Sequence, residues 1–113
     1  MADSVKILLV DDDEFLLDMY SVKFQEAGFK LDISSNGADA VQKLKSGAYD
    51  VVLLDVIMPG MDGFEVLETI KRDKIAVGTI ILILSNLGQK EDIERGMHLG
   101  ADDYIIKAHF TPR

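Results

Sequence analysis

Acidic residues stand in two places in this sequence where oxygen chemistry can converge. Asp11, Asp12, Asp13 and Glu14 form an unbroken run, and Asp55 is the lone charge closing the apolar stretch Val51, Val52, Leu53, Leu54. Two carboxylates held near a third repel unless a cation joins them. An all-oxygen ligand set suits a hard ion, and a site with few carboxylates that keeps waters and adds a phosphate suits Mg²⁺. A carboxylate placed like Asp55 can also act as a nucleophile toward phosphorus and form an aspartyl phosphate. Ser85 and Lys107 each follow another apolar run. Their hydroxyl and ammonium would meet the oxygens of a single phosphoryl group. Each residue alone has a blander role. Asp13 and Glu14 suit the first turn of a helix, Asp55 a strand-end turn, Ser85 a helix cap, and Lys107 a solvated strand end. His98 and His109 read as structural or solvated, not as ligands.

The elements that must bring these residues together are legible as short runs rich in Val, Ile and Leu at 7–10, 31–33, 51–54 and 79–84, with a shorter one at 104–106. Between them lie segments of helical spacing. The apolar positions are Phe15, Leu16, Met19, Val22 and Phe24 in the first, then Ala38, Val41 and Leu44, then Phe64, Val66, Leu67 and Ile70, then Ile93, Met97 and Leu99. The order is strand then helix, four times over, and a last strand. Runs such as VVLL and TIILIL are apolar on both faces, as strands of a parallel sheet covered by helices on each side must be. The predicted fold is therefore doubly wound α/β. Gly28, Gly47, Gly78 and Gly100 fall near the predicted helix ends. In such a sheet ligands bind outside the carboxyl ends of the strands, where the candidate residues fall.

A chain of 113 residues suits one domain with one core. Twelve basic against 20 acidic residues leave a net charge of −8, which repels phosphate backbones and anionic lipid and argues against direct nucleic-acid or membrane binding. The lack of cysteine removes disulfides and thiol chemistry, and fits a cytoplasmic protein. No apolar run approaches the roughly 18 residues of a spanning helix.

The motifs ILLVDD, LLDVIMPGMDGFEVL, ILILS and GADDYIIK, in this order and spacing, resemble the receiver domains of two-component response regulators over nearly the whole chain. The resemblance implies a flavodoxin-like, five-stranded parallel sheet of order 2-1-3-4-5. It also implies that Asp55 accepts a phosphoryl group from a histidine kinase or phosphotransfer protein. Asp12, Asp55 and the backbone carbonyl of Ile57 would hold Mg²⁺, with Asp11 acting through water. By the same resemblance Ser85 is the switch hydroxyl, Tyr104 the aromatic that swings inward with it, and Lys107 the phosphate-binding lysine. Phosphorylation would then switch the surface of the fourth helix and fifth strand.

The sequence departs from the family at Ala108, where a proline is usual, and at Asn86, where a small residue is usual. Thr111-Pro112 reads as the start of a fifth helix that Arg113 cuts short. We therefore expect a single receiver domain over 1–113 whose fifth helix is largely missing. Either a homodimer partner or an effector chain would then cover the apolar face left on strands 79–84 and 104–106, or the chain would be less stable than one extended by about 10 to 12 helical residues. Two rivals compete with this reading. A haloacid-dehalogenase-type Mg²⁺ phosphatase would place its nucleophile in an Asp-x-Asp motif, which Asp11 and Asp13 satisfy within a run of acids. A flavodoxin-type binding module would want a Ser/Thr/Gly-rich loop after the first strand, where this chain has DDDEF.

Overall fold

The computed structural model describes residues 5–85 and 90–106. Its elements run β1 (Lys6–Val10), α1 (Glu14–Glu26), β2 (Lys30–Ser34), α2 (Gly37–Ser46), β3 (Val51–Asp55), α3 (Gly63–Arg72), β4 (Ile80–Ser85), α4 (Lys90–His98) and β5 (Asp103–Ile106). The strands form one parallel sheet of order β2-β1-β3-β4-β5, as expected. Among the described residues there are four helices; Thr111 and Pro112, read above as the start of a fifth, lie outside them. No described helix is long and apolar enough to cross a membrane.

Side chains alternate across a strand, so each apolar run feeds two cores. Leu8, Val10, Val52, Leu54, Ile81 and Ile83 pack with Val41 and Leu44 of α2 and with Phe64, Leu67 and Ile70 of α3. Ile7, Leu9, Leu53 and Leu84 turn the other way, toward Leu17 and Tyr20 of α1. This is why VVLL and IILIL show no polar alternation: both faces are buried. On the α1 side Val5, Phe24, Phe29, Leu82 and Ile105 join Ile7, Leu9, Tyr20, Leu53 and Leu84 around an apolar groove of about 260 Å³.

Two details of the sequence reading are corrected. In α1 Leu17 and Tyr20 are buried and Leu16, Met19 and Phe24 pack partly buried against the same core, while Phe15 and Val22 are 74% and 55% exposed. The segment EFLLDMYSVKF is apolar on nearly every side, so spacing alone does not set its phase. In α2, Ala38 faces out and Ala40 faces in. The helix-end glycines also divide. Gly28 and Gly100 take left-handed backbone (φ 94° and 114°) beyond α1 and α4; Gly78 is left-handed too (φ 88°) but lies in the α3–β4 loop, and Gly47 caps α2 in extended conformation.

Candidate functional site

Parallel register assembles the site. Val10 lies opposite Leu54 in the β1–β3 pair, so the next residues on these neighbouring strands, Asp11 and Asp55, come out side by side. One carboxylate oxygen each from Asp11, Asp12 and Asp55 lies within 4.8 Å of the others. Asp11 and Asp55 are buried, and Asp12 is open to water. On β4, Leu84 pairs with Asp55, which puts the buried Ser85 one residue further out along the same edge. Lys107 lies outside the described residues, as do Asn86 and Ala108.

Local hydrogen bonds orient the acids. The Ile57 N–H donates to Asp55 Oδ1 at 3.1 Å, tying the carboxylate to its own loop. The Asp13 N–H donates to Asp11 Oδ1 at 3.0 Å. The carboxylate of Asp13 is the N-cap of α1, accepting from Phe15 N at 3.0 Å and Leu16 N at 3.3 Å. The acidic run therefore divides by role: Asp11 and Asp12 join the cluster with Asp55, while Asp13 and Glu14 serve the helix start. Three carboxylates with two of them buried make a donor set of hard oxygens with excess negative charge, which suits a small divalent cation. Ile57 itself is half exposed at the rim, and Tyr104 is 43% exposed on β5, where it pairs with Ile83.

The strand-end rule applied to the second apolar run points to Ser34, which the sequence reading passed over. Ser34 is buried, and its carbonyl accepts from Asp11 N at 3.1 Å, prolonging the ladder to the edge where the acids meet. Its hydroxyl donates to Asp39 Oδ2 at 2.8 Å, with the Asn36 carbonyl also within reach of the same proton at 2.9 Å. That donation, then the hydrogen bond from Lys43, holds the Asp39 carboxyl below the usual carboxylate range. The outcome is a rigid corner at the start of α2 beside Asp11.

A family model described as "Response regulator receiver domain" matches residues 7–112. The transcriptional regulatory protein ResD of Bacillus subtilis is 35% identical over 111 residues, which cover 98% of this chain and 45% of ResD. The transcriptional activator protein PfeR of Pseudomonas aeruginosa is 35% identical over 104 residues, covering 92% of this chain and 33% of PfeR. The chain thus spans less than half the length of these relatives. The solved structure of the Vibrio cholerae chemotaxis protein CheY4 is similar at 31% identity and a TM-score of 0.84, over 92% of this chain and 87% of that one. One expectation needs correction: the absence of direct nucleic-acid contact is not borne out for full-length relatives, which are named as transcriptional regulators. The net charge of −8 speaks only for these 113 residues. With a family model matched across all five strands, the chain belongs to the receiver domains of two-component response regulators.

Proposed function

We propose that Asp55 is the phosphoacceptor of this receiver domain and that its phosphorylation requires Mg²⁺ held by Asp12, Asp55 and the Ile57 carbonyl, with Asp11 acting through water. The observation that carries this reading is the meeting of Asp11, Asp12 and Asp55 within 4.8 Å at the carboxyl edge of the sheet. When bound, the cation would supply the positive charge that lets an anionic phosphodonor approach three carboxylates. A carboxylate oxygen of Asp55 attacks phosphorus, and the bond from phosphorus to the donor's imidazole nitrogen, or to the acyl oxygen of a small donor, breaks. The leaving group takes the electron pair, and an imidazole also takes up a proton. Ser85 and Lys107 are assigned to the phosphoryl oxygens, and Tyr104 to the switch. The exposed Tyr104 supports that assignment, since an aromatic that is to swing inward must start outside.

The donor is a histidine kinase or phosphotransfer protein, and the domain works as a cytoplasmic signalling switch, turning over only its own phosphate. Residues 1–113 act as one domain. The signal leaves through the surface of α4 and β5, which a new charge at Asp55 biases toward a second arrangement. We keep a homodimer partner or an effector chain as the cover for the apolar groove beside α1. The phosphatase alternative loses ground because its motif needs Asp13, whose carboxylate is engaged in capping α1. Incubation with acetyl phosphate or phosphoramidate plus Mg²⁺, followed by mass spectrometry, tests the proposal. One phosphoryl group should appear, on Asp55, and disappear with Asp55→Asn or a chelator. Equal labelling of Asp55→Asn, or steady turnover of small phosphate esters, would overturn it.

A further inference from the structure

The loop between Asp55 and α3 is pressed by a residue far from it in sequence. Gly37, the first residue of α2, lies so close to this loop that a Cβ there would overlap the Met61 carbonyl oxygen and come to 3.0 Å from the Met61 Cβ and Cγ. A carbonyl of the main chain cannot rotate aside as a side chain can. Gly37 does not have left-handed backbone, so packing is what excludes a side chain here.

Neither side of this contact yields easily. The α2 start is tied down by the Asn36 cap, whose Oδ1 accepts from Asp39 N at 2.8 Å, by the Ser34 hydroxyl, and by the burial of Ala40, Val41 and Leu44. On the other side Met61 is followed at once by Asp62, the N-cap of α3, in a reciprocal capping box with Glu65. Next comes Gly63, where an added Cβ would overlap the Asp55 carbonyl oxygen and lie 2.6 Å from Val56 Cα. The Gly63 N–H also donates to the Val56 carbonyl at 3.2 Å. A push on Met61 therefore travels through two residues into the peptide that follows Asp55.

We propose that Gly37 is a positioning residue for phosphoacceptor chemistry: by its bare Cα it sets the height of the Met61–Gly63 link, and through it the placement of the Asp55–Ile57 backbone. The consequence for metal binding rests on the reading above that Asp55 and the Ile57 carbonyl hold Mg²⁺. Groups that orient metal ligands from outside the ligand set typically change affinity by about 10- to 100-fold when altered.

The experiment compares the chain with its Gly37→Ala and Ala38→Ser variants by calorimetric titration with MgCl₂, thermal melting, and amide NMR of metal-free protein. Ala38 is exposed in the same turn and serves as control. Gly37→Ala should bind Mg²⁺ about tenfold more weakly and move the Val56 and Ile57 amide resonances, and Ala38→Ser should do neither. Wild-type affinity with unmoved amides in Gly37→Ala would overturn the proposal. If the original chain binds no Mg²⁺, the functional reading fails, and the amide shifts alone decide the positioning role. Should Gly37→Ala not fold, Met61→Ala removes the side-chain half of the contact from a half-buried position. It should move the same two amides, and their constancy in a folded Met61→Ala protein would also overturn the proposal.

Discussion

Replacing Asp55 by Asn removes one charge from a cluster whose carboxylate oxygens lie within 4.8 Å of one another, while keeping the side chain's shape and an acceptor for the Ile57 N–H. At that separation and an effective dielectric of about 20, each like-charge pair costs about 3.5 kcal/mol, so the two pairs involving Asp55 cost about 7 kcal/mol. A lysine ammonium at the cluster, the role assigned to Lys107, offsets about half of this while Asp55 is charged. The charge-assisted bond from Ile57 offsets about 1 kcal/mol more. Asp12 is exposed and partly screened, which lowers the repulsion further. The balance still favours the variant by about 2 kcal/mol in metal-free protein, a rise of roughly 8 °C in melting temperature for a domain of this size. Mg²⁺ should reverse the order, since at a hundred times its Kd it adds about 2.7 kcal/mol to the chain that binds it. Thermal melts in EDTA and in excess MgCl₂ test both halves. If Asp55→Asn melts at or below the original chain in EDTA, or if Mg²⁺ raises both equally, the cluster is not a repulsive site relieved by a cation.

The Tyr49 hydroxyl donates to Asp32 Oδ2 at 2.6 Å; burial first, then that bond, pushes its pKa from 10.0 up to about 12. A folded value above the unfolded one means that this contribution is complete below pH 10 and is lost as pH rises through about 12. Urea melts over that window should fall for the original chain and stay flatter for Tyr49→Phe; parallel curves would contradict the linkage. Asp62→Ala breaks the capping box of α3 and should cost about 1 kcal/mol, read as a lower urea midpoint at constant slope; a midpoint unchanged within error would mean that the cap does not hold the helix start.

The sequence by itself determined the architecture and most of the chemistry. Parallel strands buried on both faces must read as unbroken apolar runs, so 7–10, 51–54 and 79–84 could be recognised as sheet interior. The residues just past them, Asp11, Asp55 and Ser85, were then the ones that could face a ligand. The third helix was legible because its apolar positions, Phe64, Val66, Leu67 and Ile70, leave polar residues between them. α1 was legible only in part, because apolar residues surround it: Leu16, Met19 and Phe24 pack inward as read, but only the sheet beneath it selects Leu17 and Tyr20 over Phe15 and Val22. The pairing of Tyr49 with Asp32 and the contact of Gly37 with Met61 were also out of reach. A hydroxyl does not announce its acceptor, and a glycine in a sequence does not say what backbone lies across from it. The meeting of Asp11 with Asp55 depended likewise on register. Val10 opposite Leu54 brings the two carboxylates level, and a slip of one residue would turn the strand's side chains to the other face. Residue type and spacing set which groups can do chemistry, because burial and backbone period are local. Which of them touch was decided by the packing of α1, α2 and α3 on the sheet, because those distances exist only once the chain is folded.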